Sequence, residues 1–234
     1  METWDKNYGD LFYKRAVGEL PEMESSKSVA DLISGLISPD DIVLDVGCGA
    51  GHYLRSLKRK IGVLFHYKGI DSTEYYIDQA RIAFPNDLFT VGDIYDLKFP
   101  DHCAEIVMCN NVLLHLPSIE IPIRELLRIS SKYVIIRTLV GNCTFEIKQA
   151  EEPELHKNGL VNFHYFNIYS ESYISSILKG YKFEIKADMN FDPQNLGGSD
   201  NYVGERPKDL TVSVNGVQVN GYIIQPWKFI IIKK

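Results

Sequence analysis

Val43-Leu44-Asp45-Val46-Gly47-Cys48-Gly49-Ala50-Gly51-His52-Tyr53 is the stretch on which the reading of the fold rests. An apolar strand, Ile42–Asp45, ends in an acid, three glycines alternate through a turn, and a helical pattern opens at His52. Gly47 and Gly49 let the main chain turn tightly and leave room for a ligand to approach it, and the free N–H groups of a helix start favour a carboxylate or phosphate. Asp45 adds a negative charge facing that space. A dinucleotide fingerprint, GxGxxG, puts its third glycine where His52 stands, and an acid just before the turn repels a pyrophosphate. The turn therefore suits a cationic ligand better.

On either side of this stretch the pattern alternates. Upstream, Val29, Leu32, Ile33, Leu36 and Ile37 form a helical stripe over Ser28–Ile37 that Ser38-Pro39-Asp40-Asp41 stops. Downstream, a helix over His52–Lys60 is followed by strands at Tyr67–Asp71, Leu88–Gly92, Ile106–Asn110 and Lys132–Thr138, with helices at Thr73–Phe84 and Ile119–Ile129 between them. That rhythm predicts right-handed βαβ wiring of a parallel sheet.

After Thr138 the character changes. A polar stretch, Gly141–Gly159, precedes a helix with Ser170 as N-cap and Gly180 as stop signal, then a strand, Tyr181–Met189, and a loop, Asn190–Asp209, rich in Asn, Asp, Gly and Pro. Thr211–Val214, Asn215-Gly216 and Val217–Val219 predict a hairpin, because Asn-Gly tolerates the positive φ of a type I′ turn. Tyr222–Lys233 reads as the last strand, regular from Trp227 because Pro226 interrupts its start.

Composition narrows the function classes. The chain has 234 residues, a length that suits one large domain, and 45% hydrophobic with 24% charged residues supplies a sizeable core. Lys and Arg total 25 against 31 Asp and Glu, so the net charge of -6 weighs against a role that must neutralise many phosphates, and nucleic acid is not the expected partner. Met1–Tyr8 has acids, no basic start and no apolar run, so no secretory signal is read there. Apolar runs such as Tyr133–Ile136 and Phe229–Ile232 fall well short of the ~20 residues that span a bilayer, and a cytoplasmic protein without membrane partners is expected. Cys48, Cys103, Cys109 and Cys143 form no CxxC pair and have no His at zinc spacing, so they are assigned neither a metal nor a disulfide.

With the glycine turn and the strand order in place, the segment from Ile42 to Thr138 resembles the class I S-adenosylmethionine-dependent methyltransferases, in their small-molecule branch. The family's first motif, [VIL]-[LD]-D-x-G-C-G-x-G, matches at Asp45, Gly47, Cys48, Gly49 and Gly51. The resemblance implies that Asp71, with Ser72 after it, holds the ribose hydroxyls, a vicinal diol suiting a carboxylate that accepts from both. It implies that Asp93, between Gly92 and Ile94, reads the adenine amino group, and that Asn110 and Asn111 surround the methionine end of the cofactor. The segment Tyr8–Arg15 is read either as a fold over the cofactor, with Tyr13 near the methionine moiety, or as an amphipathic helix on the sheet edge. Phe163-His164-Tyr165-Phe166, with Tyr202 and Arg206, is a second candidate lid.

The resemblance implies a Rossmann-like, seven-stranded, mostly parallel sheet with an antiparallel last strand, helices on both faces and an extra C-terminal β-hairpin. One domain over 1–234 is expected, with an N-terminal helical lid region at 1–40, a cofactor-binding core at 41–138, and substrate-side segments with the last strands at 139–234. The implied reaction is direct in-line transfer of a methyl group from S-adenosyl-L-methionine to a small-molecule acceptor. Rivals are a catalytically silent cofactor-binding module and an NAD-dependent oxidoreductase, the latter disfavoured by His52. His115, just after the fourth strand, is the catalytic candidate, as a base on the acceptor or as a residue that orients the loop before Pro117. Cys48 reads as a small filler of the strand–helix junction, not a nucleophile, and Val112 and Leu113 stand where the prolines of DNA amino-methyltransferases would be.

Overall fold

The computed structural model describes residues 10–150, 163–188, 211–214, 217–220 and 223–234. Two helices, α1 (Leu11–Val17) and α2 (Glu24–Ser34), precede β1 (Ile42–Val46), and the glycine turn leads into α3 (His52–Lys60). The alternation then runs β2 (His66–Asp71), α4 (Glu74–Ala83), β3 (Leu88–Val91), β4 (Ala104–Asn110), a 3-10 turn at Leu113–His115, α5 (Glu120–Ile129) and β5 (Ser130–Gly141). Helix α2 begins before the apolar stripe at Ser28. Ser26 returns its hydroxyl to the carbonyl of Met23, which lets a small polar residue occupy a buried first turn that hydrophobic periodicity does not register.

The chain continues through β6 (Lys148–Ala150), β7 (Phe163–Tyr165), β8 (Tyr169–Ser170), α6 (Glu171–Ile177), β9 (Lys182–Ala187), β10 (Thr211–Val214), β11 (Val217–Asn220), β12 (Ile223–Gln225) and β13 (Trp227–Lys233). The Ser170 side chain accepts the Tyr173 N–H as a helix N-cap, in agreement with the sequence. Part of the polar stretch after Gly141 is strand: β6 pairs antiparallel with β7. Strands β10 and β11 pair with Val214 opposite Val217, and β12 extends them to three strands. The turn residues Asn215 and Gly216, and Tyr202 and Arg206 of the second candidate lid, lie outside the described residues.

The main sheet has the order β3-β2-β1-β4-β5-β13-β9, with β8 added beside β5. Strands β1 to β5 are parallel to one another, and β13 runs antiparallel to both β5 and β9. Alternation along the buried strands feeds two cores. Val43, Ile106 and Ile135 pack with Val29, Ile33, Leu54, Leu57 and Ile77 of α2, α3 and α4, while Leu44, Val107 and Ile136 pack with Ile123, Leu126 and Ile174 of α5 and α6. The chain steps outward from β1 to β2 and β3, then crosses back to β4 on the other side of β1. The crevice at the carboxyl ends of β1 and β4 is therefore where a ligand site forms in such a fold.

Candidate functional site

Three left-handed glycines shape the turn at this crevice, with φ of 82° at Gly47, 53° at Gly49 and 77° at Gly51. At Gly47 a Cβ would meet Val112 Cγ2 at 2.2 Å, so the turn after β1 and the turn after β4 touch through the absence of a side chain. The main-chain donors are used internally. Gly47 and Cys48 both donate to the Ile70 carbonyl, at 2.7 and 3.0 Å, and Gly49 donates to Asp71 Oδ2 at 2.9 Å. These three N–H groups bind β2 to the turn.

Asp71 stands at the end of β2, its other oxygen accepting the Thr73 N–H at 2.9 Å. Burial raises its pKa and the Thr73 and Gly49 N–H groups pull it back. The Thr73 side chain and the Ser72 N–H also donate to this carboxylate. Asp45 is different. Its side chain is 1% exposed and accepts the Tyr67 hydroxyl at 2.7 Å, so it faces the β1–β2 interior and not open space. Burial pushes its pKa up to about 7, the Tyr67 bond lowering it and the Asp71 charge adding to the rise. Ser72 and Asp93 are exposed, Asp93 accepting the Tyr95 N–H, and Ile94 packs against the α5-side core.

Asn110 ends β4. It is 4% exposed, and neither its Oδ1 nor its Nδ2 has a hydrogen-bond partner. A buried amide with donor and acceptor both unpaired is costly unless a ligand completes it. Asn111 adopts φ 60° and donates Nδ2 to the Tyr53 hydroxyl, at 3.3 Å.

The N-terminal segment does reach the turn. Phe12 of α1 stacks on His52 with ring centroids 4.7 Å apart and 8° between planes, and its ring lies next to where a Gly49 side chain would stand. Asp10 ties this helix to α4 by accepting from Tyr75 and Gln79. Tyr13 is half-buried on the same helix, but the ring that covers the turn is Phe12. Neither Phe12 nor His52 stood out in the sequence as a site residue. Their signal was an aromatic on the first helix combined with the position where a dinucleotide motif carries glycine.

Comparison with known proteins agrees with this geometry. Residues 44–134 match the family model described as a methyltransferase domain. This segment is similar to the methyltransferase domains. Trans-aconitate 2-methyltransferase of Enterobacter sp. is 30% identical over 96 residues, 40% of this chain and 37% of that protein. A SAM-dependent methyltransferase of Methanosarcina mazei shares the fold with a TM-score of 0.58 at 18% identity, over 87% of this chain and 96% of that one. Magnesium protoporphyrin IX methyltransferase of Synechocystis, a structure with bound SAH, does so at 0.53 and 14% identity, over 100% of this chain and 90% of that one. The chain spans about a quarter to a half of the length of the curated relatives it matches.

The turn after β4 is clamped from outside. Asn167, 1% exposed, donates its N–H to Leu114 O and its Nδ2 to Leu116 O, while the Tyr169 hydroxyl donates to Leu113 O. His115 Nδ1 lies 2.9 Å from the Tyr165 carbonyl. A carbonyl only accepts, so Nδ1 donates and a neutral ring carries its lone pair on Nε2. His115 thus joins the same clamp. Burial, with the Asp71 and Asp45 charges, pushes the Cys48 thiol well up, and a protonated thiol is no nucleophile. Among the described residues no cluster suits a metal ion, and no helix is long and apolar enough to cross a membrane.

Proposed function

We propose that the protein transfers a methyl group from S-adenosylmethionine to a small-molecule acceptor by direct in-line displacement, leaving S-adenosylhomocysteine. The observation that carries this reading is the unpartnered Asn110 amide at the carboxyl end of β4, beside the glycine turn. One donor and one acceptor side by side suit a zwitterion, whose ammonium and carboxylate would take Oδ1 and Nδ2. Asp71, at the end of β2, would accept from a ribose diol, and exposed Asp93 is available to an adenine amino group. Phe12 and His52, with Tyr13, would exclude water above Gly49.

The bound cofactor would supply a methyl group already activated on a sulfonium. The chain's own part is then to hold the reactants in line and keep water out, which few residues can do. His115, with its Nε2 lone pair, is the candidate to receive an acceptor proton, and its link to Tyr165 supports a bracing role beside that one. The similarity to the Enterobacter trans-aconitate 2-methyltransferase and the net charge of -6 support a small-molecule acceptor over nucleic acid. Calorimetry with S-adenosylmethionine, S-adenosylhomocysteine and NAD tests the cofactor: binding of the two sulfur compounds alone is expected, and binding of NAD alone rejects the reading. Methyl-labelled cofactor incubated with a metabolite extract, followed by mass spectrometry, identifies the acceptor.

A further inference from the structure

Six polar side chains from separate parts of the chain form one line of hydrogen bonds that passes through the turn after β4. Arg137, 1% exposed on β5, donates Nε to Asp188 Oδ2 at 2.7 Å and Nη1 to Asn111 Oδ1 at 2.5 Å. Ser28 of α2 donates to the other Asp188 oxygen at 2.9 Å. At the far end Asn111 donates to the Tyr53 hydroxyl, which donates to Ser25 at 3.1 Å. The Trp227 ring covers the guanidinium, 4.1 Å from ring centroid to Cζ.

The direction of the line is set by chemistry. A guanidinium only donates and a carboxylate only accepts, so Asn111 must turn its oxygen to Arg137 and its NH2 to Tyr53. Asn111 is left-handed, and its main-chain N–H donates to the Arg137 carbonyl at 2.9 Å. A non-glycine residue keeps that conformation only where its surroundings over-determine it. Its chain neighbours are the unpartnered Asn110 and Val112, which packs against Gly47. A fully buried ion pair gains little stability, because desolvation offsets the attraction, so its geometry is what it contributes.

We propose that Asp188 is a positioning residue for the cofactor site: it holds the Arg137 fork, Arg137 holds Asn111, and Asn111 sets the turn that presents Asn110. The inference rests on the reading that Asn110 faces S-adenosylmethionine. Its test is a thermodynamic cycle on the full chain, with S-adenosylhomocysteine affinity read by calorimetry and folding by melting temperature. Asp188→Asn keeps the shape and removes the charge, and Asn111→Gly removes the amide while glycine accepts φ 60° without penalty. Each change is expected to raise Kd about tenfold, as for one lost charge-assisted hydrogen bond, with the Asn111→Gly melting temperature near wild type. The double variant should bind no more weakly than either single one, because both changes cut the same line.

Wild-type affinity in Asn111→Gly, or effects that multiply in the double variant, overturns the proposal. Failure of the wild-type chain to bind S-adenosylhomocysteine overturns the cofactor reading itself. If Asp188→Asn does not fold, Ser28→Ala replaces it in the cycle, since it releases only one Asp188 oxygen; the same outcomes apply.

Discussion

Asp71 Oδ2 accepts the main-chain N–H of Gly49 across 2.9 Å, so the carboxylate proposed to hold a ribose is also the strut of the glycine turn. Asp71→Ala should therefore do two things at once. Charge-assisted hydrogen bonds contribute ~1.5–3 kcal/mol each, which corresponds for one lost bond to a roughly tenfold to hundredfold rise in the S-adenosylhomocysteine Kd. The orphaned Gly49 and Thr73 donors should also lower the melting temperature, by roughly 2–4 °C per kcal/mol for a chain of this size. Calorimetry and a thermal melt read both; a lowered melting temperature with unchanged affinity would leave Asp71 as a strut only.

Gly47→Ala should remove cofactor binding and destabilise the fold. Its φ of 82° costs a side chain ~1–3 kcal/mol, and the new Cβ would lie 2.2 Å from Val112 Cγ2, forcing the two turns apart. Adding Val112→Ala should recover part of the melting temperature, because it relieves the collision and leaves the backbone strain. Recovery to the full wild-type value would show that the left-handed backbone is not strained there.

Two buried groups tilt the pH dependence of stability in opposite senses. Burial, with Arg15 beside it, lowers the His52 pKa from 6.5 to about 3, so its contribution is present above pH 6.5 and is lost as pH falls toward 3. Asp45, raised from 3.8 to about 7, contributes below 3.8 and loses that contribution as pH rises through 7. His52→Phe keeps a ring against Phe12 and should make the melting temperature fall from pH 4.5 to 7 relative to wild type; Asp45→Asn should make it rise. With ~1.4 kcal/mol per pKa unit, each tilt amounts to a few kcal/mol at most. Parallel curves for the three proteins would refute both assignments.

His115→Gln separates a base from a brace. Loss of the Nδ1 bond to Tyr165 should cost about 1 kcal/mol, hence roughly 2–4 °C in melting temperature, while turnover at saturating acceptor stays within tenfold of wild type. A rate lowered ~10²–10⁴-fold with melting and cofactor affinity intact would instead make His115 the general base.

The strand, glycine turn and helix from Ile42 to Lys60, the βαβ alternation through β5, the Ser170 cap and the β10–β11 pairing were all legible in the chain, because each depends on residues within a few positions of one another. Alternation marks a half-buried strand, a glycine marks a left-handed turn, and a serine marks a helix start wherever they occur. Local pattern also located the acids at the ends of β2 and β3 and the two asparagines at the end of β4.

The tertiary structure decided how those residues are used. Asp45 faces Tyr67 because strand alternation turns it toward the β2 side chains, and the turn's N–H groups are taken by Ile70 and Asp71 because β2 lies beside β1. The placing of Phe12 on His52, the clamp of Asn167 on the turn after β4, and the junction of Ser28, Asp188, Arg137 and Asn111 join positions tens of residues apart. No periodicity encodes such contacts. They exist only once β13 has inserted between β5 and β9 and the helices have closed over the sheet, which brings isolated polar residues within hydrogen-bond reach in an interior that leaves them no other partner.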